Sequence, residues 1–398
     1  MRVHVIGAGL AGLSASCALV EAGHEVVLFE AAAQAGGRAR SYFDRQLGCR
    51  IDNGNHMLLS GNHAAWRYLK RIGAEASLIG PTSPVFPFMD LQSGVRWTVK
   101  LSSGRIPFWM FCPTRRVPGT KLVDYGALLR LRKAKSNDLV GDLLDQTSAL
   151  YKNLLEPLTI SALNTMPACA SAQPLAAVFA ETVERGGAAS QPRWAKTGLS
   201  ESFVDPALAW LKALGTEIKF GTRVTTLDQS QPTILAVPPW IAKDLMPELT
   251  VPDAFESICN LHFKIKVNLE APGFYGLLSG MAEWVFVRDE VLSVTISAAN
   301  RYVEMQQEEI AFLVWAELAR ALGLSADVPP YRVLWEKRAT FACTPEQLAR
   351  RPGPQSPRQH VFLAGDWVDT GLPATIEGAI RSGEKAANLL HNRFENTR

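Results

Sequence analysis

The chain lacks most of the features that would take it out of the ordinary folded interior. No two of its six cysteines (Cys17, Cys49, Cys112, Cys169, Cys259, Cys343) stand in a Cys-x-x-Cys spacing. Neither a cysteine metal site nor a disulfide framework is therefore expected, and reduced thiols in a cytoplasmic setting are. No run of 18 apolar residues occurs, so no membrane-spanning helix is expected. Charge of one sign is not in excess: 41 Lys and Arg against 38 Asp and Glu give +3, a balance that names no partner. The stretch from Arg2 to Leu19 lacks the unbroken apolar helix of a signal peptide, because three glycines at fixed spacing interrupt it. What is present is a chain of 398 residues, 47% hydrophobic and 20% charged, long enough for two joined domains.

Residues 3–30 read VHVIGAGLAGLSASCALVEAGHEVVLFE. Val3 to Ile6 predicts a buried parallel strand, Leu10 to Ala22 a helix closed by Gly23, and Glu25 to Phe29 a second strand. Between the first two lie Gly7, Gly9 and Gly12 as G-x-G-x-x-G. Gly7 permits the tight turn, Gly9 the approach of a pyrophosphate, and Gly12 close packing of helix on strand. The turn from Gly7 through Ala8, Gly9, Leu10, Ala11 and Gly12 offers N–H groups and a positive dipole end to phosphates. Glu30, 18 residues past Gly12, stands where a carboxylate reaches a ribose hydroxyl and disfavours a 2′-phosphate. These parts predict a dinucleotide, with NAD and FAD both open.

Three further motifs bear on that choice. QAGGRARSY carries Gly36, Gly37 and Arg38, suited to a second pyrophosphate contact. IDNGNHMLLSG carries Asp52, Gly54, Asn55 and His56. LAGDWVDTGLPATIEGAIRSG (363–383) is a second small-residue turn opening into a helix. With FGTRVTTL (220–227) and TILAVPP (233–239), both predicted as strands, they resemble the FAD-dependent amine oxidase and phytoene desaturase superfamily over essentially the whole chain. The resemblance implies an α/β fold, flavin amine oxidase-like. A Rossmann-type FAD-binding domain would come from residues 1–80, 200–252 and 355–398. A second, α+β substrate domain would come from 81–199 and 253–354. It implies FAD held non-covalently and no metal. Gly36, Gly37 and Arg38 would lie along the cofactor, with Gly54 and Asn55 beside it. Val224 would touch the adenine through its backbone. Gly365 and Asp366 would face the ribityl or pyrophosphate region. Ala374, Thr375 and Ile376 would lie along the flavin, with the helix from Glu377 aimed at the N1–C2=O side. The small residues there would let backbone touch a flat ring. Cys343, near this motif, reads as buried packing rather than a flavin attachment point.

Longer stretches resemble a narrower group. LLEPLTISALNTMPACASA (154–172), TGLSESFVDPALAWLKALG (197–215), EKRATFACTPEQLARRPGP (336–354) and DNGNHMLLSG are similar to the bacterial hydroxysqualene dehydroxylases of the hopanoid pathway. One position departs: Asn55 stands where that group is expected to carry Gln. The resemblance implies an apolar C30 polyprenyl alcohol as substrate and an external electron donor. The reaction it implies protonates the allylic hydroxyl, loses water to leave a delocalised cation, and adds hydride from reduced flavin to give squalene. His56 and Asp52 are the candidate proton donors. Asp52 also reads as a structural acid bonded to backbone N–H groups, and His56 as a neutral packing or cofactor-contacting histidine. A carotenoid-type desaturase, running hydride the other way, and a non-catalytic flavin-binding lipid carrier remain open. An amine oxidase is disfavoured, because Ala374, Thr375 and Ile376 stand where that branch often places a Tyr.

Strands are predicted in HFKIKVNLE (262–270), EWVFVRDEVLSVTIS (283–297) and YRVLWEKRATF (331–341). Glu308 to Leu322 predicts a helix with Ile310, Leu313, Val314 and Leu318 on its buried face. Residues 96–135 carry ten Lys or Arg and one acid, Asp124, around RIPFWMFCPTRR (105–116). This reads as a solvated cationic face, or as a peripheral membrane contact through residues 105–135. In the second reading Phe108, Trp109 and Phe111 dip into lipid while the cations meet anionic headgroups. No nucleic-acid motif accompanies the charge, so nucleic acid is not expected.

Overall fold

The β-rich run Arg2–Ile6 becomes the middle strand of a five-stranded parallel sheet. The order is Glu217–Lys219, Glu25–Phe29, Arg2–Ile6, Thr233–Leu235, Val361–Leu363. The computed structural model describes residues 1–268 and 273–395. Helix Leu10–Glu21 follows the first strand and is buried from Leu10 to Leu19, because the C-terminal helix Ile376–Glu395 covers its other side. The two helices meet backbone to backbone. A Cβ placed on Gly383 would lie 2.1 Å from the Ala11 carbonyl oxygen. This glycine of the C-terminal stretch therefore serves helix packing.

The expected strand 220–227 does not form, since its strand ends at Lys219. Gly221, at φ +63°, turns the chain, and the N–H groups of Gly221 and Thr222 bond to the carbonyls of Ala32 and Glu30. Val224 sits half-buried in the irregular segment that results.

The second sheet has seven strands in the order Tyr331–Phe341, Phe255–Lys264, Val291–Ile296, Trp284–Arg288, Phe274–Leu278, Val85–Asp90, Arg96–Lys100. All neighbours are antiparallel except Phe274–Leu278 with Val85–Asp90. The strand predicted over 262–270 starts earlier, at Phe255, and ends at Lys264; Leu269 and Glu270 lie outside the described residues. One face of the sheet is apolar. Leu261, Phe263, Val285, Leu292 and Val294 pack on helix Gln307–Leu322, with the Phe263 and Trp315 rings 5.1 Å apart. The helix buries Ile310, Val314 and Leu318 as expected, but Leu313 is 44% exposed. The buried stripe is completed by Ala311 and Trp315 instead, which turns Leu313 outward.

The opposite face mixes polar and aromatic residues and is also buried. Strand alternation puts Asn260 and His262, Ser293 and Thr295, and Trp284 and Phe286 there, in cross-strand register. Residues 53–56 lie across it. In the cationic segment, Phe108 and Phe111 are exposed, whereas Trp109 is 4% exposed. Its ring meets Tyr125 edge-on at 5.3 Å, so Trp109 joins two short helical turns and does not project with its neighbours.

Candidate active site

The first glycine turn has the shape of a backbone cradle. Gly7 holds φ +103°, and a Cβ there would lie 2.4 Å from the Ala236 carbonyl oxygen. A Cβ on Gly12 would lie 1.8 Å from the Gly7 oxygen. Both are glycine because the fold requires it. Gly9 is different: among the described residues nothing lies within 4 Å of a Cβ at that position, so its missing side chain keeps a space open. The N–H groups of Leu10, Ala11 and Gly12 precede the first intrahelical bond, from Leu13 N to the Gly9 carbonyl, and are the donors that a helix N-terminus offers to an anion. The Ala8 N–H is committed to Glu30 Oε2 at 2.8 Å, and Glu30 Oε1 accepts from Ala32 N at 2.8 Å. Gly36 N donates to the Ala8 carbonyl at 2.8 Å, and Gly37, at φ +56°, lies against Gly9. The Gly-Gly-Arg segment thus rests on the first turn.

Arg38 joins this end of the chain to the other. It pairs with Asp366 at 2.7 Å and donates to the Ala339 carbonyl. Gly365, at φ +152°, gives its N–H to Ser382 Oγ at 2.8 Å, and a Cβ there would strike the Trp367 indole. The C-terminal helix begins at Ile376, one residue before the expected start. Thr375 Oγ1 accepts from Gly378 N at 3.0 Å as its cap. Ala374 is half-buried and Ile376 buried beside it. Glu377 turns away and accepts from Ala64 N and Ala65 N at 3.0 and 2.8 Å, capping helix His63–Arg71. The sequence reading missed Arg351. Its buried guanidinium donates to the carbonyls of Asp366, Trp367, Val368 and Leu372 and lies 4.9 Å over the Phe341 ring. Arg351 stands beside Arg350 in a polar, proline-containing stretch (345–360), and nothing in that composition sets it apart from its neighbours. Cys343 is buried, and burial pushes its thiol up to about 12, which removes it as a nucleophile.

Asp52 and His56 come together in one cavity wall with Asn55, Trp194, Phe286 and Arg288. Asp52 is 3% exposed and engaged on both oxygens. Oδ1 accepts from Ser41 Oγ at 2.5 Å and Leu199 N at 3.0 Å, while Oδ2 pairs with Arg288 at 2.6 Å. In every one of these contacts it is an acceptor, the geometry of an anchor joining three segments rather than of a proton donor. Asn55 Nδ2 donates to Thr295 Oγ1 at 3.1 Å, Thr295 donates to Asn260 Oδ1 at 2.8 Å, and Asn260 Nδ2 donates to the Asn53 carbonyl at 3.1 Å. A Cβ on Gly54 would press on Asn260 at 3.1 Å. Residues 53–55 are therefore clipped to the polar face of the large sheet. His56 is left facing the cavity. Burial lowers its pKa below the ordinary histidine value, Asp52 opposes the shift, and Arg38 adds to it.

His262 and Ser293, also missed, lie on the same face. His262 is fully buried, with Nδ1 2.8 Å from Ser293 Oγ, and burial drives its pKa to about 4. The unfolded chain binds a proton at this position near pH 6.5 and the folded one only near 4. Its contribution to stability is therefore complete above pH 6.5 and is lost as pH falls from there to 4, by about 3 kcal/mol. Urea melts across that range are expected to show this acid limb, and His262→Gln is expected to flatten it. An equal slope in the variant would remove His262 as its cause.

This cradle, with two distant turns locked by Arg38 and Asp366, defines a class of FAD-binding oxidoreductase. The model of the flavin containing amine oxidoreductases matches residues 10–391, and the chain belongs to that family. FAD is its cofactor. The fold agrees: cyclohexylamine oxidase from Brevibacterium oxydans superposes with a TM-score of 0.75 at 16% identity, covering 99% of each chain. Within the family the chain belongs to the hydroxysqualene dehydroxylases, being 45% identical to that of Zymomonas mobilis over 97% of this chain and 98% of the relative. A zeta-carotene desaturase of Solanum lycopersicum is 39% identical over 79 residues, 20% of this chain and 13% of the relative.

Proposed function

We propose that the chain removes the allylic hydroxyl of hydroxysqualene reductively, giving squalene for hopanoid or other triterpene synthesis. The observation that carries this is one cavity in which a histidine meets an aromatic wall. Trp194 and Phe286 line it with His56, and Phe274 stands behind them, 5.4 Å from Trp194 and 5.8 Å from Phe286. Reduced FAD, when bound, supplies a hydride. His56 hands a proton to the leaving oxygen. The ring faces of Trp194 and Phe286 stabilise the positive charge that develops on the allylic carbons. Asp52 holds Arg288 and cancels its charge, so that no unpaired guanidinium repels the cation. Residues 1–80, 200–252 and 355–398 hold the cofactor in this reading, and 81–199 and 253–354 receive the substrate. The electrons come from an external donor.

The test is anaerobic. Holoenzyme reduced in a sealed cuvette and mixed with hydroxysqualene is expected to yield extractable squalene. Recovery of unchanged alcohol, with desaturation of a hydrocarbon by the oxidised enzyme, would transfer the chain to the desaturases. Recovery of unchanged alcohol with no hydrocarbon chemistry would leave a carrier.

A C30 substrate resides in lipid, and the reading includes peripheral membrane contact through residues 105–135. No helix among the described residues is long and apolar enough to cross a membrane. Ile106, Phe108, Phe111 and Val123 are each more than 60% exposed, and Arg105, Lys121, Arg130 and Lys133 are exposed in the same segment. Flotation with phosphatidylglycerol vesicles is expected to carry the protein, and phosphatidylcholine vesicles to carry far less. The double variant Phe108→Ser, Phe111→Ser is expected to lower vesicle affinity at least about tenfold; unchanged flotation would free this surface from the role.

A further inference from the structure

We propose that Ser293, backed by His262, is the subsite that takes the hydroxyl group of the substrate. The identity of the alcohol rests on the function proposed above; the hydroxyl recognition does not.

The strands themselves point there. Phe255–Lys264 and Val291–Ile296 are apolar at every position facing helix Gln307–Leu322. At the alternate positions they carry Asn260, His262, Ser293 and Thr295, all less than 10% exposed. Polar groups inside a sheet are costly unless bonded. Asn260 and Thr295 satisfy each other and hold residues 53–55. Ser293 does not belong to that network. It opens onto the cavity that His56, Trp194 and Phe286 line, and its side-chain partner is His262 Nδ1 at 2.8 Å.

A serine hydroxyl has one hydrogen to donate and two lone pairs to offer. The bond to His262 uses one of the three. If Nδ1 is the acceptor, Ser293 keeps both lone pairs for the cavity. If Nδ1 carries the hydrogen, Ser293 keeps its own hydrogen and one lone pair. In either tautomer Ser293 keeps hydrogen-bonding capacity toward a cavity that Trp194 and Phe286 line together with Asp52, Asn55, His56 and Arg288. An alcohol complements it either way, being both donor and acceptor. A hydrocarbon leaves it unpaired, which is the larger penalty for a buried hydroxyl. The pair carries no charge at neutral pH, so it does not oppose a cation formed nearby. It also separates substrate from product: the alcohol is held, and the hydrocarbon left after the hydroxyl departs is held less well. Ser293 is a binding residue in this account. His262 is a positioning residue that acts through it.

The test uses the flavin absorbance of the oxidised holoenzyme, titrated with farnesol and with farnesene, an allylic alcohol and a matching hydrocarbon. Ser293→Ala is expected to weaken farnesol at least about tenfold and farnesene by less than about twofold. His262→Gln is expected to move farnesol in the same direction by a smaller factor and to leave farnesene alone. With hydroxysqualene, Ser293→Ala is expected to raise KM more than it lowers kcat. Equal weakening of both probes in both variants, or no weakening of farnesol, would overturn the proposal. If the wild-type enzyme fails to convert hydroxysqualene while the farnesol–farnesene contrast holds, the proposed reaction falls and the subsite stands.

Discussion

Gly9→Val is expected to give a folded but colourless protein. At Gly9 the backbone is extended, with φ −73° and ψ 179°, a region valine prefers. Among the described residues no atom stands within 4 Å of the new Cβ, so the apoprotein has nothing to clash with. The space the side chain enters is the one that, in the proposed reading, a pyrophosphate would fill. FAD affinity should fall at least about 100-fold, since loss of a close backbone–phosphate approach removes several charge-assisted hydrogen bonds. Gly12→Ala is the contrasting variant. Its Cβ would fall 1.8 Å from the Gly7 oxygen, so it should lower the melting temperature of the apoprotein itself. Flavin content and apoprotein melts separate the two effects. A yellow Gly9→Val protein with full flavin content would contradict the cradle.

His56→Ala carries the second large effect. The imidazole faces the cavity and is not part of the network that fixes residues 53–55, so flavin content and melting temperature should hold. Single-turnover formation of squalene from pre-reduced enzyme should slow at least about tenfold, a floor beneath the roughly 100- to 10,000-fold that a positioned general acid contributes. The pH dependence gives the sign. Burial holds the His56 pKa below 6.5, so the protonated form is the minority at pH 7. The wild-type rate should therefore climb as pH falls from 7 and level off only below the ordinary histidine range, while His56→Ala stays flat. An unchanged single-turnover rate in the variant would remove His56 from the reaction.

Much of the cofactor end was legible because backbone geometry demands particular residues there. Gly7 and Gly12 cannot be anything larger, and a turn of that shape before a helix has few other uses. The Arg38–Asp366 pair links two motifs that the sequence shows 328 residues apart. Other features depend on tertiary partners that periodicity does not name. The 220–227 stretch has strand composition, but its N–H groups pair with residues 30–32 outside any ladder. Trp109 sits among exposed residues, and its burial comes from tertiary packing in which Tyr125 takes part. Asp52 reads from sequence as a structural acid or a proton donor, and Arg288, 236 residues away on its second oxygen, is the partner that the sequence does not name. His262 and Ser293 did leave a signal, polar residues at alternate positions in apolar strands. Alternation identifies a face, though, and not what packs against it.

The proposed reaction requires hydride to reach an allylic carbon as the hydroxyl leaves. The direct measurement is a single anaerobic turnover of hydroxysqualene by holoenzyme reduced in deuterium oxide, with mass analysis of the extracted hydrocarbon. One deuterium per squalene, formed in step with one equivalent of oxidised flavin, is the predicted result. Squalene free of deuterium, or flavin that stays reduced while the alcohol persists, would contradict it.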